Sequence, residues 1–337
     1  MINLKRIIVC VAFMPFCILK AQDVHFSQFY LSPLSLNPAN TGNFKGDFRF
    51  FGNYRSQWKE LNNAYNTFSA GGDFNIFPGN VNLSGGLIAI SDKSGGNLNV
   101  TKILPSAAWH FRLGGYKLHA GVQPGYVIKT LDFYSHTFQN QFNWNVGSFD
   151  NSLPNNESNV VQQFSYFDLN SGIQANRRFG KIEPEIGFAL FHINTPKESF
   201  LNNQFNKLPM RSAINAALSF YLKEKIILKA YTLYGFTTKA SDWVSGTNVE
   251  YVLSQQAFGN NSLFAGLMWR SGINRNADAG IATVGFNYNR YTLGFSYDIT
   301  ISKLQTAVDN RGAFEIAFIY RSKSSRLNEK VLPCERY

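Results

Sequence analysis

Charge is scarce in this chain: of 337 residues only 16% are Asp, Glu, Lys or Arg. Ordinary soluble domains carry roughly 25%, so the composition argues against one. Long apolar runs are missing too. Beyond the N-terminus no stretch reaches about 18 apolar residues, which argues against a bundle of membrane-spanning helices. Of the three cysteines, Cys10 and Cys17 fall in an apolar leader, and Cys334 alone forms no internal disulfide. No metal-ligand spacing accompanies them, and no cofactor is expected. No glycine-rich phosphate loop follows a strand and opens a helix, and no nucleophile motif stands near a histidine. The basic residues, formally +11 in net charge, form no stripe with interleaved aromatics, so nucleic acid is excluded as a partner.

Aromatic residues are plentiful, at 15%, yet mean hydropathy is −0.17 because Asn, Ser, Thr and Gly fill the other positions. That mix suits side chains divided between lipid and a hydrated lumen. Residues 1–21 read as a signal peptide: Lys5 and Arg6 lead, Ile7 to Leu19 are mostly apolar, and Ala21 precedes Gln22. Cys17 follows Met-Pro-Phe rather than small residues, so a lipoprotein anchor is rejected. Cleavage takes Lys5, Arg6 and Lys20 and leaves the chain basic, its cations meeting lumen water and outer-membrane lipid.

The clearest pattern runs from Thr283 to Asp298. With Asn289-Arg290 as a turn, Tyr288 faces Tyr291, Phe286 faces Leu293, Val284 faces Phe295 and Ala282 faces Tyr297. The opposite face carries Asn287 with Thr292, Gly285 with Gly294 and Thr283 with Ser296. Successive strand side chains point to opposite sides, so this hairpin separates an apolar medium from a wet one. A second hairpin turns at Gly114-Gly115. There Leu113 faces Tyr116, Phe111 faces Leu118 and Trp109 faces Ala120, while Arg112 faces Lys117 and His110 faces His119. Tyr116, Tyr288 and Tyr291 lie beside short turns, where an aromatic girdle meets the head groups.

About fourteen such segments are expected, near 47–58, 65–77, 81–91, 102–113, 116–129, 164–177, 182–193, 211–222, 225–238, 245–253, 262–270, 280–288, 291–299 and 312–320. The phase breaks at Gly85-Gly86 and 245–253 is weak, leaving twelve as the alternative count. Short turns alternate with longer links near 92–101, 130–163, 194–210, 271–279 and 300–311. A transmembrane antiparallel up-and-down β-barrel accounts for that, with short periplasmic turns and long extracellular loops. A soluble sandwich does not. The expected organisation is a periplasmic or lumenal segment over 22–46, a barrel over 47–320 and a periplasmic tail over 321–337. The inward faces read as polar or glycine-rich. Asn53, Arg55 and Gln57 share one such face, suited either to holding the N-terminal segment or a partner's chain, or to a lumen-filling network. Asp298, inward beside a loop, is placed to pair with such an arginine; His110, Arg112, Lys117, His119 and Glu315 complete the expected lumen network. The histidine pair lacks a third metal ligand.

At these residues the chain resembles a known family. Gln28 to Ala39 (QFYLSPLSLNPA) with Gly42, Asn53 to Trp58 (NYRSQW), the Asp92-Lys-Ser-Gly95 loop and Ser106 to His110 are similar to the PorP/SprF outer-membrane proteins of type IX secretion and gliding motility. So are His192 to Pro196, Ser199-Phe200, Asp278-Ala279, Gly294 to Asp298, Gly312 to Ile316 and the ending Pro333 to Tyr337. Ala108 replaces the family's usual Tyr. The resemblance implies a non-enzymatic role: binding, anchoring or helping to export a secreted surface protein, adhesin-like, with a type B C-terminal sorting domain. Other type IX components are further implied partners. The loops supply aromatics for that contact: Phe133, Phe138, Phe142, Trp144, Phe149 and Phe200. The rival readings are a transport channel for hydrophobic or small solutes and an outer-membrane hydrolase.

Overall fold

The computed structural model describes residues 25–58, 64–76, 82–95, 97–132, 137, 139–150, 152–154, 161–200, 205–223, 225–238, 240–256, 259–272, 277–302 and 311–325. Its strands are β1 (Phe48–Gln57), β2 (Tyr65–Ile76), β3 (Asn82–Ser94), β4 (Leu98–Leu113), β5 (Tyr116–Leu131), β6 (Phe142–Asn143), β7 (Ser148–Phe149) and β8 (Gln163–Asn176). There follow β9 (Ile182–Phe191), β10 (Arg211–Lys223), β11 (Ile226–Phe236), β12 (Ser241–Gln256), β13 (Gly259–Ser271), β14 (Ala277–Tyr288), β15 (Tyr291–Thr300) and β16 (Arg311–Arg321). Fourteen of them form a closed antiparallel barrel; β6 and β7 make a separate hairpin in the link between β5 and β8. The count of fourteen holds, and twelve falls.

Both hairpins take the expected register. Val284 faces Phe295, Gly285 faces Gly294 and Tyr288 faces Tyr291, while His110 faces His119 and Leu113 faces Tyr116. Gly114 and Gly115 adopt φ of 56° and 83°, the left-handed region that a type I′ turn demands and that favours glycine. The apolar faces of both hairpins point out of the barrel, and Thr283, Thr292 and Ser296 are buried inside it. Closure pairs β1 with β16 from Arg49 opposite Arg321 to Gln57 opposite Ala313. No edge strand is left facing hydrocarbon.

Several boundaries differ from the sequence pattern. Asp92, Lys93 and Ser94 belong to β3 rather than to a loop, and the link 92–101 shrinks to 95–97. The weak segment 245–253 lies within the longer β12, and β13 begins at Gly259. β9 stops at Phe191 because His192 takes φ of 57°, which breaks a strand. Above that point Asn194 continues the wall: its side chain accepts from the Leu169 N–H at 3.1 Å and donates to the Phe167 carbonyl at 2.6 Å. In mid-wall Pro105 and Pro124 interrupt the β4–β5 ladder between the pairs Ile103–Tyr126 and Ala107–Val122, since neither ring has an N–H to give.

The phase break at Gly85-Gly86 does not occur. Ser84, Ile88, Ile90 and Asp92 are all buried inside while Leu83 and Leu87 point out. The inward face changes from polar to apolar there because something apolar sits against it. Residues before β1 fold into the lumen as three short helical turns, Phe29–Leu31, Pro33–Leu36 and Pro38–Asn40. Leu34, fully buried, packs with Leu31 among Phe51, Ile88, Leu104 and Ile319. Phe29 packs on the other side with Phe191, Leu233, Met268 and Ile281. The inward faces are therefore not uniformly polar, contrary to the sequence reading. At the other end of the chain, Ser322 accepts the Asp47 and Phe48 N–H groups at 2.9 Å each. The leader and residues 326–337 lie outside the described residues.

Two substitutions separate wall from filling. Val249→Arg places a charge on the outward face of β12 and is expected to cost roughly 2–4 kcal/mol of barrel stability, measured by denaturant titration in lipid vesicles. Leu34→Ala opens a cavity under the lumenal segment and is expected to cost about 2–5 kcal/mol. That loss is expected as faster protease cleavage within 25–46, while the barrel keeps its heat-modifiable gel mobility.

Candidate functional site

The lumenal segment is held at three heights. Near the long-link end, the Ser27 and Gln28 N–H groups donate to the Glu315 carboxylate at 2.8 and 2.9 Å. The Ser27 hydroxyl reaches both Asp298 oxygens at 2.8 and 2.9 Å. Arg55 bridges this group, donating to Ser27 Oγ at 2.6 Å, to Asp298 at 2.9 Å and to Glu315 at 3.3 Å. Arg270 meets Asp298 at 3.0 Å and Asp278 at 3.0 Å. Charges removed this fully from water persist only with partners, and here two guanidiniums and two carboxylates close on one hydroxyl and two amides.

At mid-height Asn37 spreads its amide across the wall, donating to the Ile173 carbonyl and to Asn215 Oδ1 at 3.2 Å each while Oδ1 accepts the Ala39 N–H at 2.9 Å. Gly172 is the strand position beneath it, and any side chain there would collide with the Asn37 amide. Gln123 donates to the Leu34 carbonyl at 3.1 Å. Near the short-turn end, Arg49 grips Asp73 through two bonds of 2.9 and 2.6 Å and reaches the Asn40 carbonyl at 3.0 Å. Asp73 also accepts the Gly42 N–H at 2.7 Å. The chain thus descends the lumen, with Ser27 toward the long links and Gly42 toward the short turns, before Phe48 opens β1.

A cavity of about 270 Å³ remains beside the segment, bordered by Tyr30, Tyr231, Glu185, Lys229 and Arg321. Tyr30 and Tyr231 stack with centroids 4.3 Å apart, and Asn248 donates to the Tyr30 hydroxyl at 2.9 Å.

Arg55, Asp298 and Glu315 of the expected network come together. Gln57 joins through a 3.4 Å bond from Arg55, and Asn53 lies buried beside them, accepting from Ser69 at 3.4 Å. His110 and His119 form a separate group: their Nδ1 atoms lie 2.6 Å apart, with Ser84 at 2.8 Å from His110 Nε2 and Asn176 at 3.3 Å from His119 Nε2. Among the described residues no three His, Cys, Asp or Glu side chains converge on a metal position. Arg112 and Lys117 face each other at an exposed turn and do not join the network, because the strand has left the lumen there. The sequence reading missed Arg49, Asp73 and Arg270 as contributors. Arg49 and Asp73 were legible in principle, since Arg49 shares the phase of Asn53, Arg55 and Gln57 and faces Asp73 on β2.

Among the loop aromatics, Phe133 and Phe138 lie outside the described residues. Phe142, Trp144 and Phe149 cluster on the β6–β7 hairpin, with edge-to-face centroids at 4.9 and 5.1 Å. Asp150 closes it, its N–H bonded to Gln141, while the Ser152 hydroxyl and N–H hold its carboxyl below the usual range. Trp144 is 84% exposed and Phe149 50%. Phe200 instead packs on Phe164 at 4.6 Å and is half-buried, tying the link after β9 to the start of β8 rather than presenting a free surface. The link after β9 is anchored by His192 on Asp168 at 2.9 Å and by the Lys129–Glu198 ion pair.

Arg55→Met leaves Asp298 and Glu315 buried with fewer partners, and breaking such a group costs about 3–5 kcal/mol. The expected result is faster hydrogen exchange at the Ser27 and Gln28 amides, with slow exchange retained along β15 and β16.

A family model for the type IX secretion system membrane protein PorP/SprF matches residues 18–320. A comparison with curated proteins finds no match. Among solved structures the fold is similar to the Pseudomonas putida toluene transporter TodX, with a TM-score of 0.52 at 8% identity over 86% of this chain and 92% of that one. The Ralstonia pickettii toluene transporter TbuX gives 0.48 at 11% identity over 86% and 94%. At such identity the likeness is one of fold alone, a barrel of the outer membrane. Matched over nearly its whole described length, this fourteen-strand outer-membrane barrel belongs to the PorP/SprF family of type IX secretion system membrane proteins.

Proposed function

We propose that the barrel is a docking platform, without catalytic activity, at which a secreted surface protein with a type B C-terminal sorting domain is bound and anchored, or helped in its export. The observation that carries this reading is the aromatic hairpin of Phe142, Trp144 and Phe149, exposed in the long link between β5 and β8 of a barrel whose lumen its own N-terminal segment occupies. Exposed, mutually packed aromatics gain binding energy without first losing much side-chain freedom. The link after β9 is itself pinned to β8 and β5 by His192 and Glu198, so the long-link end has a firmly held part beside the barrel wall.

The lumenal segment also weighs against the rival channel for hydrophobic or small solutes. A path through this lumen must run past side chains tied by ionic and backbone bonds at three heights.

The combined change Trp144→Ala with Phe149→Ala removes two exposed aromatics that lie outside the barrel sheet. Truncating an aromatic hot spot costs about 2 kcal/mol or more. The expected result is recovery of the co-purifying exported protein reduced by about tenfold or more in pull-downs of the barrel from outer membranes, with barrel abundance unchanged. Undiminished recovery would sink the docking reading. A conducting pore in bilayers from the unaltered protein would favour the channel.

A further inference from the structure

The outer wall is not smooth. Across β3, β4, β5, β8 and β9 a groove of about 500 Å³ indents the lipid-facing surface. Its floor is made by the outward Ala107, Ala120 and Ser171, and its sides by Trp109, Ile173 and Phe188. Registers put these side chains on one face: Trp109 is opposite Ala120, Ala120 opposite Ile173, and Ile173 opposite Phe188.

Below the groove, at the short-turn end of the same strands, Arg177 lies on the outside of the barrel. Its guanidinium is 4.8 Å from the Tyr116 ring and 4.8 Å from the Phe179 ring, and it donates one bond, at 3.0 Å, to the Gly114 carbonyl. Among the described residues no carboxylate pairs with it. Aromatic rings framing a cation beside a short turn mark the depth of the head groups. Arg177 follows the last residue of β8 and is four residues below Ile173, roughly 13 Å, and the outward Leu118 and Ala175, opposite each other, make the surface between them apolar.

We propose that this groove and Arg177 form one site for a glycerophospholipid of the periplasmic leaflet, with an acyl chain in the groove and the phosphate on the guanidinium. Two features argue for this occupant rather than a second barrel. The groove is concave, which a second copy's convex wall does not fill. The charge that the aromatic rings frame beside it is a cation at head-group depth, complementary to a phosphate and repelled by its own copy. Arg is suited to this role because its planar fork offers several donors to one phosphate while its face stays stacked on aromatics.

The test uses the full mature barrel in mild detergent, titrated with dipalmitoyl phosphatidylglycerol or dipalmitoylglycerol and read by native mass spectrometry. Arg177→Gln is expected to weaken phosphatidylglycerol binding roughly tenfold and to leave dipalmitoylglycerol unchanged. Ala120→Phe fills the floor and is expected to weaken both. Heat-modifiable gel mobility checks that each variant is a folded barrel, and R177Q, at an exposed turn, keeps the test decisive should A120F fail to assemble. Phosphatidylglycerol binding unchanged in R177Q, or lipid binding unchanged in a folded A120F, overturns the proposal. So does a dimeric mass for the unaltered protein that A120F converts to a monomer.

Discussion

A backbone in hydrocarbon has no water to satisfy its N–H and C=O groups, so β1 must find β16, and the chain must form a ring. Much else follows from that pairing. A closed wall presents alternate side chains to two media, which makes the period-two pattern obligatory and allows the low charge content. Fourteen strands also enclose more space than their inward side chains fill. The residues before β1 supply the difference, and the wall adapts to them with Gly172 beneath Asn37 and Ile88 beneath Leu34.

The filling is held by both apolar packing and polar chemistry. Leu34 and Phe29 each sit in an apolar cluster, but these clusters are small and lie on opposite sides. Between them run Arg55, Asp298 and Glu315 above and Arg49 with Asp73 below. A buried ion pair contributes little net stability against an apolar alternative, while removing one member is costly. Such clamps therefore fix where the segment sits more than they strengthen the barrel. The proposed docking role fits this arrangement, since the loop end belongs to a barrel whose lumenal segment is clamped in one place.

The wall was legible in the sequence and its contents only partly. The registers around Gly114-Gly115 and Asn289-Arg290 follow from turn residues and alternation, both local. The pairing of Asp298 with an arginine was legible because each residue already had a face and a height. The place of the segment before β1 stays open in the sequence between lumen and periplasm. That stretch has no period, and its partners are Asn215, Glu315 and Asp73, separated from it by whole strands. The apparent phase break at Gly85-Gly86 came from the same source: Ile88 and Ile90 look misplaced until Leu34 is known to lie against them. His192 ends β9 through a backbone conformation that no neighbouring residue announces.

Arg55 and Glu315 face each other across the seam between the first and last strands, and both hold Ser27. Residues 288 positions apart in the chain meet at that single point. Without that pairing Arg55 and Glu315 would not stand side by side, and the N-terminal segment would lack its upper anchor. The seam therefore does two things at once: it closes the wall, and it brings together the acid and the base that hold the upper of the segment's three anchors.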